Sequence, residues 1–588
     1  MGKVIHTSAG VYPFEDDRSL RPADGIQKTT SVAFVIYADQ GRVDQIISCK
    51  TVNEITGEFG FPNPNIGNGG HYGLYCAIEA LKECKEVLIT RVHADALFGG
   101  TILSTDATSA LVLNPFTTGK HVDPFDANKF ALLAADTDFT ATTKDLFYIY
   151  GASPTKNSEL VRIVISDVKD TTDKTSPNTF KISVFMDDKV GVNDNPLETW
   201  TVSRDRQTDG FGRQQYMEDV INGNSKFIRV RNNPAAVSAT PGATLTSMLP
   251  AGTTLLDTDA AGSPAYLVKG DSGNTFPTID TDDHIVGLDK FPTGVGTGLF
   301  AKKSGWQLYM DKEMVKVDVL CNAGYCYPEV QKAMITLAEH RADCFAILDI
   351  PADKQGNKFD PTAQAISYRK TPIGINGLDS SYGGLYTPWY VVEDTFNNQI
   401  LQIPSSGHIA AIFARTDRIA ATWFSPAGMK RGYLNILDVG CIYNQESRDA
   451  LVAEQINPTR IVPGVGMAVW GDETMQIRPT ALSSINVRRL LIHIGSNTEN
   501  ILLTSVFDPN DDFLRTEIKH ALIALLEPIK NGRGLYAYTV VCDESNNLPS
   551  DVDNGILNVD IYLQPVIPAK RIYVQLIITR TGVSIKVG

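Results

Sequence analysis

Hydrophobic positions change their spacing twice along the chain. The first clear element is "SVAFVIYA" (31–38), a continuous apolar run between polar flanks, which predicts a strand buried on both faces. "YGLYCAIEALKECKEVLITRV" (72–92) reads as a helix running into a second strand. Ahead of them, "KVIHT" (3–7) is a short extended piece, and "SAGVYPFEDD" holds Gly10 and Pro13, which oppose helix, so the first twenty residues read as an arm. From about Ala96 to Gly298 the texture turns to Thr, Asp, Ser, Gly and Asn around short runs such as "DLFYIY", "LVRIVISDV", "TFKISVFMDD", "ETWTVSRD" and "KFIRVR". That predicts a mostly β insertion with solvent-facing loops. The α/β texture then returns with a strand ending at Cys321, a helix over 327–343, and strands "CFAILDIP" (344–351) and "TPWYVVED" (387–394). We therefore expect a multidomain α/β (α+β) fold whose α/β unit is built from two segments, 21–95 and 300–475, around an insertion at 96–299 open to division into two subdomains. A third region, 476–580, holds "INVRRLLIHI" (485–494), a helix after Asp508, and strands "LYAYTVVCDE", "ILNVDIYLQPV" and "RIYVQLIITR".

Length and composition narrow the function. At 588 residues the chain is too long for one compact core, and 43% apolar with 20% charged residues is ordinary for globular domains. A net charge of −14 disfavours nucleic acid as a direct ligand, because that affinity comes from clustered Lys and Arg. Residues 476–588 carry eleven basic and eleven acidic residues, so the excess acid lies upstream. The opening residues show no secretory pattern and no stretch approaches twenty apolar residues, so assembly in a cytoplasm without stable membrane insertion is expected. Eight cysteines stand singly without CxxC pairs, which favours buried reduced thiols.

The stretch that looks most like chemistry is "VFDPNDDFL" (506–514). An EF-hand loop would place Asp508, Asn510 and Asp512 at its first, third and fifth positions, but Phe513 then replaces the required Gly and Lys519 the final Glu. Helix capping fits instead, with Asp508 at N-cap, Pro509 at N1, and Asp511 and Asp512 facing the positive end of the dipole. Leu514, Ile518, Leu522, Leu525 and Ile529 would form the apolar stripe. Asp511, Arg515 and Lys519 fall on another face, either solvated or a charged contact surface. "PGVGMAVWG" lacks the third small residue of a dinucleotide fingerprint, and "GVGTGLFAKKSG" has Ala301 where a phosphate loop needs Gly. Neither HExxH, a Cys/His zinc spacing nor GxSxG occurs, so no catalytic residue, cofactor site or metal site is assigned and no enzyme is expected. The two ends are short alternating strands, Val4, Ile5 and His6 at one and Val583, Ile585 and Val587 at the other. Such strands close their own sheet, the first expectation here, or add to a neighbour's open edge.

Taken together, "SSINVRRLLIHI", "VFDPNDDFL" and "VVCDESNNLPSDVDNGILNVDIYLQPVIPAKRIYVQL" resemble the C-terminal core of contractile tail sheath proteins of bacteriophages, R-type bacteriocins and type VI-like injection systems. The family pattern is N-V-R-R before an apolar run, F-(E/D)-P-N-(D/N) opening a helix, C-(D/N), an acidic D-x-x-x-G turn and P-x-x-P. Asn486, Val487, Arg488, Arg489, Phe507, Pro509, Asn510, Cys542, Asp543, Asp551, Gly555, Pro565 and Pro568 occupy matching positions. Upstream, "SAGVYPFEDDRS", "EHRADCFAILDIP", "DGFGRQQYMEDVIN", "PSSGHIAAIFARTD" and "WFSPAG" are similar to further family segments, placing Asp349, Pro351, Ser405, Gly407, His408, Arg415, Asp417, Trp423, Pro426, Ala427 and Gly428. Residues 96–195 match nothing in the pattern. At "VWGDETMQ" the chain departs from the usual W-G-A-R-T-L, with Asp472 and Glu473 in place of Ala and Arg.

The resemblance implies a structural subunit of a virion tail. Copies would polymerise with six-fold helical symmetry around an inner tail tube, meet baseplate and tail terminator or neck proteins, and contract to drive the tube through the host envelope for genome ejection. It reverses the expectation for the ends: residues 1–20 and 581–588 become arms whose strands join a neighbour's sheet, received along Leu557, Val559, Ile561, Ile572, Val574 and Leu576. The 476–580 core would face the tube, with Arg515 and Lys519 as candidate contacts, and the 96–299 insertion would lie on the outer surface. A bacteriocin or other injection-system sheath is the alternative within the class, and a surface-binding module acting through 96–299 the alternative outside it.

Overall fold

The computed structural model describes residues 29–571 except for 43–44, 65–71, 93–98, 106–110, 116–144, 154–158, 170–178, 188–194, 233–254, 257–264, 268–304, 356–361, 371–374 and the single positions 205, 207, 210, 376 and 465. The first segment folds as β1 (Ser31–Ile36), β2 (Ile46–Cys49), helices α1 (Val52–Phe59) and α2 (Gly73–Leu81), and β3 (Glu86–Arg91). After the insertion come β4 (Val319–Cys321), α3 (Pro328–Arg341), β5 (Phe345–Asp349), β6 (Gly383–Thr387), β7 (Tyr390–Asp394), β8 (Gln399–Ile403) and α4 (Ser406–Ile419). They are followed by β9 (Tyr433–Leu434), β10 (Asp438–Val439), β11 (Ile456–Val462) and β12 (Gly466–Val469).

Nine of these strands form one sheet in the order β9-β12-β11-β6-β5-β4-β1-β3-β2. The six central strands, β11 to β3, run parallel, and the flanking pairs at both ends are antiparallel. All six residues of β1 are buried, as a continuous apolar run in a parallel sheet covered on both faces requires. The strand expected in "TPWYVVED" exists as β7, but it belongs to a separate three-stranded sheet, β8-β7-β10. The main sheet uses β6 instead, which carries Gly383 and Gly384. A Cβ at Gly383 would lie 2.2 Å from Ile335 Cδ1, so the glycine that hides this strand from a propensity reading is what admits α3 onto the sheet.

Helix α4 is launched by Asp349 at the end of β5. The buried carboxylate accepts from Ser405 Oγ at 2.6 Å and from the Ser406 N–H at 2.9 Å, satisfying donors of the first turn. Burial pushes this carboxyl up to about 6. The helix crosses α2 at Gly407, where a Cβ would stand 2.4 Å from the Cys76 carbonyl oxygen and 2.6 Å from its Cα.

The insertion contributes two four-stranded antiparallel sheets. One combines Gly100–Thr105, Leu111–Pro115, Asp145–Gly151 and Ile228–Asn232, and the other Val161–Lys169, Thr179–Met186, Glu198–Val202 and Leu255–Leu256. With the helix Met217–Asn224 they enclose a core of their own that includes Phe147, Ile163, Phe180, Ile182, Val202 and Met217.

In the last region "INVRRLLIHI" opens the 19-residue helix α5 (Ile485–Leu503), which is followed by α6 (Asp512–Asn531), β13 (Leu535–Val541) and β14 (Asp560–Pro565). The cap of α6 is Asp511, not Asp508: its Oδ1 accepts from the Leu514 N–H at 2.8 Å. A turn over 504–507 ends at Phe507, whose φ is 76°, and Asp508, Pro509 and Asn510 follow it outside the helix. This placement gives Asn510 a hydrogen bond to the Ile556 carbonyl at 3.0 Å and brings its Oδ1 3.3 Å from the Arg515 guanidinium, contacts that a helix begun at Asp508 would forgo. The buried stripe is Leu514, Ile518, Leu522, Leu526 and Ile529, with Leu526 in the place expected for Leu525. All eight cysteines are free thiols, seven of them buried.

The α2–α4 crossing gives a direct test. Gly407→Ala gains helix propensity of about 1 kcal/mol but forces two backbones apart, and overpacking of this kind costs roughly 1–3 kcal/mol. We expect a net loss of stability, read as a lower urea midpoint at unchanged slope.

Candidate assembly site in the C-terminal region

The site is built on the joint between the main sheet and α5. Each residue of the Asn486-Val487-Arg488-Arg489 run has a separate task. Asn486 Nδ2 donates to the carbonyls of Trp423 (3.3 Å) and Val566 (3.2 Å), while Val487 is buried. The Arg488 guanidinium lies over the Tyr382 ring at 4.1 Å and donates to Ser381 Oγ. Arg489 reaches Asp417, near the end of α4, with one terminal nitrogen 2.7 and 2.8 Å from the two carboxylate oxygens, and its guanidinium lies 4.4 Å from the centre of the Phe413 ring. Thr30 Oγ1, just ahead of β1, donates to the same carboxylate at 3.0 Å. The Arg489 and Asp417 side chains are only 5% and 10% exposed, so neither charge can be satisfied by water if the other is removed.

Trp423 locks the far end. Its Nε1 donates to the Gly532 carbonyl at 2.9 Å at the close of α6, and a Cβ at Gly534 would lie 3.0 Å from the indole. The Gly534 carbonyl in turn accepts from the Val566 N–H at 3.0 Å, beside the end of β14. Helices α5 and α6 and strands β13 and β14 close a separate core, to which α5 gives Leu490 and Ile494, α6 gives Ile518, Leu522 and Leu526, and β13 gives Leu535 and Val540.

That core presents a narrow surface ribbon. Strands β13 and β14 pair antiparallel, and among the described residues neither pairs with a further strand. Tyr536 and Tyr562 are 64% and 63% exposed on it. Of the residues expected to receive a neighbour's strand, Ile561 lies in β14 opposite Val540, and Leu557 and Val559 lie in the approach to β14, partly buried against the core. Ile572, Val574 and Leu576 lie outside the described residues, as do Val4, Ile5, His6, Val583, Ile585 and Val587. The two candidate tube contacts are placed differently. Arg515 is buried, its guanidinium held by Asn510 and, at 3.1 Å, by Asp512, whereas Lys519 is 39% exposed with Nζ 3.9 Å from Asp543 Oδ2.

The departure at 472–473 has a partner that sequence reasoning missed. Lys570 Nζ stands 2.7 Å from Glu473 Oε1 and 3.4 Å from the Asp472 carbonyl oxygen. The receiving backbone is fixed by Asn457 of β11, whose Oδ1 accepts from the Glu473 N–H and whose Nδ2 donates to the Glu473 carbonyl, both at 2.8 Å. The available signal was a pair of acids where the family pattern has none, together with a basic residue just past P-x-x-P. Asp472 itself is buried beside Ser425, with neither carboxylate oxygen hydrogen-bonded in good geometry among the described residues. Burial pushes its carboxyl up to about 7, against the opposing pull of the Lys570 charge.

Two family models match consecutive stretches on either side of residues 476–477. Residues 301–475 match the phage tail sheath protein central domain, and residues 478–579 the phage tail sheath C-terminal domain. The tail sheath protein of Enterobacteria phage T4 is 30% identical over 294 residues, 47% of this chain and 44% of that protein. That of Vibrio phage KVP40 is 31% identical over 248 residues, 40% of this chain and 37% of its own length. The chain thus spans less than half the length of these curated relatives. Among solved structures, a sheath tail protein from Listeria innocua is similar over 91% of this chain and 95% of its own, with 10% identity and a TM-score of 0.49. The sheath complex of the PVC extracellular contractile injection system, in its contracted state, is similar over 45% of this chain and 71% of its own, with 21% identity and a TM-score of 0.39. The matched domains define a class of structural, non-enzymatic proteins. Residues 301–475 and 478–579 are thus similar to the phage tail sheath family.

Two substitutions test the site. Arg489→Ala leaves Asp417 buried without its counter-charge and should cost about 3–5 kcal/mol in urea unfolding, while Arg489→Met combined with Asp417→Leu should recover most of the loss. The folded-state value of Asp472 lies above its ordinary 3.8, so its contribution to stability is intact below about pH 4 and is lost as pH rises toward 7. Asp472→Asn should therefore match the wild type at pH 4 and unfold at higher urea than the wild type at pH 8.

Proposed function

We propose that this protein is the sheath subunit of a contractile phage tail. In this reading copies polymerise as a six-fold helical array around an inner tail tube and contract to drive the tube through the host envelope for genome ejection. The protein works in the virion tail after assembly in the bacterial cytoplasm, with baseplate and tail terminator or neck proteins as further partners. It needs no cofactor, no direct nucleic-acid contact and no stable membrane insertion. The observation that carries the reading is the pair of consecutive matches to the central and C-terminal domains of phage tail sheaths. The curated relatives are tail sheaths of phages, which favours a virion over a bacteriocin or another injection system.

The physical chemistry supports the same role. A two-stranded ribbon is marginal alone and gains from added strands, and here its outer edges carry no described partner. In the proposal the N-terminal arm (1–20, through Val4, Ile5 and His6) and the C-terminal arm (581–588, through Val583, Ile585 and Val587) of neighbouring subunits supply them, against the receiving positions at 557–561 and 572–576. Backbone pairing of that kind tolerates large rigid-body motion of the bodies it tethers. The tube contact is assigned to the face of α6 that carries Lys519, with Arg515 acting from beneath by holding the 510–512 turn. The balanced charge of residues 476–588 suits a surface along which a tube must slip.

Electron microscopy of the purified chain, alone and with tube protein, should show striated tubes; protein that forms no ordered polymer in either case rejects the sheath reading. Deleting 582–588 should abolish polymerisation and leave a folded monomer by circular dichroism. Long tubes from the truncated chain would sink the arm exchange alone.

A further inference from the structure

A second unpaired edge lies far from the ribbon in sequence and on a different sheet. Strand β8 is the outer strand of β8-β7-β10, and its free side faces no strand among the described residues. Ile400, at its second position, is 72% exposed. Phe61 (69% exposed) and Phe396 (38% exposed) stand beside the hairpin with ring centroids 6.1 Å apart. An exposed edge is ordinarily protected by Lys, Pro or a bulge. Here residues 395–403 read "TFNNQILQI", without one charged side chain, and β7 and β8 pair in continuous register.

The hairpin is also held rigidly. Asp394, at the end of β7, is buried and takes the tip through both oxygens, with Oδ1 accepting from the Phe396 N–H at 3.0 Å and Oδ2 from Tyr75 Oη at 2.7 Å and Asn397 Nδ2 at 2.8 Å. Asn397 Nδ2 donates further to the Pro62 carbonyl at 3.0 Å, tying the tip to the residue after Phe61. A part-buried network of this kind holds the backbone beside Phe61 and Phe396 and the end of the strand edge before any partner arrives, which lowers the entropy cost of docking.

We propose that β8, with Phe61, Phe396 and Ile400, is a docking edge for an extended segment of a second copy of this chain. The inference rests on the reading that the protein polymerises with itself. A helical array needs heterologous contacts that do not close, and arm exchange at the C-terminal ribbon supplies one such direction. Copies that each carry a net charge of −14 repel one another, so a further contact between them costs least where charge is absent and apolar area is exposed. The β8 strand itself meets both conditions, with Glu393 of β7 the one charge opposite Ile400 in the register, and its outer side has no strand partner among the described residues.

Two variants test this. Ile400→Lys puts a charge on an exposed position, so the monomer should unfold at the wild-type temperature while the yield of tubes falls by roughly tenfold or more. Ile400→Cys in a Cys326→Ser background, labelled with a benzophenone maleimide while the seven buried native thiols are spared, should on irradiation of assembled tubes give cross-linked peptides between two copies of this chain. Wild-type yields from Ile400→Lys, tubes without such cross-links, or cross-links only to tube protein would each overturn the docking edge. Failure of the wild-type chain to form tubes at all would instead remove the reading on which it rests.

Discussion

One buried ion pair fixes the C-terminal region to the main sheet. Arg489 at the start of α5 and Asp417 near the end of α4 meet in a space closed by Phe413 and Thr30, so the first turn of α5 is fixed to the main sheet's own covering helix and to the entry of β1. Because both charges are desolvated, the pair has little freedom to slide or to exchange partners. From that point the direction of α5 is set, Asn486 is brought to the Trp423 and Val566 carbonyls, and the ribbon of β13 and β14 is held at a defined place relative to the nine-stranded sheet. A force applied to the ribbon is passed to the sheet through these contacts, and Glu473 with Lys570 adds a second path beside them.

The parts legible from sequence were those whose signal is local. Continuous apolar runs marked β1, β3 and β5, and helical spacing marked α2, α3 and the core face of α6. What escaped was set by tertiary contact. Strand β6 was hidden by Gly383, whose missing Cβ is the space occupied by Ile335, and the cap of α6 moved from Asp508 to Asp511 because Asn510 serves Arg515 and the Ile556 carbonyl. Arg515 looked like a surface cation by periodicity alone and is in fact folded inward over that turn.

The candidate site shows the same division. Asp417, Trp423, Asn486 and Arg489 stood out as members of a pattern, yet no spacing rule pairs residues 72 positions apart, and their roles emerge only when Arg489 meets Asp417 and Asn486 meets the Trp423 carbonyl. The acids at 472 and 473 were visible as a departure, but the lysine that answers one of them lies almost a hundred positions further on. Long-range electrostatic complementarity of this kind is written into single sequences without being readable from them.

The order of strands in the main sheet also has a temporal meaning. β1 pairs with β3 on one side and β4 on the other, and β3 ends at Arg91 while β4 begins at Val319. At synthesis rates of about 5–20 residues per second, the ribosome takes roughly 10–45 s to deliver β4 once β3 is complete. Through that interval a strand that is apolar from Val32 to Ile36 waits with one edge open, while the insertion, with a core of its own, is made and able to fold. The newborn chain must therefore guard β1 against strands of other copies for as long as its own partner is still being translated.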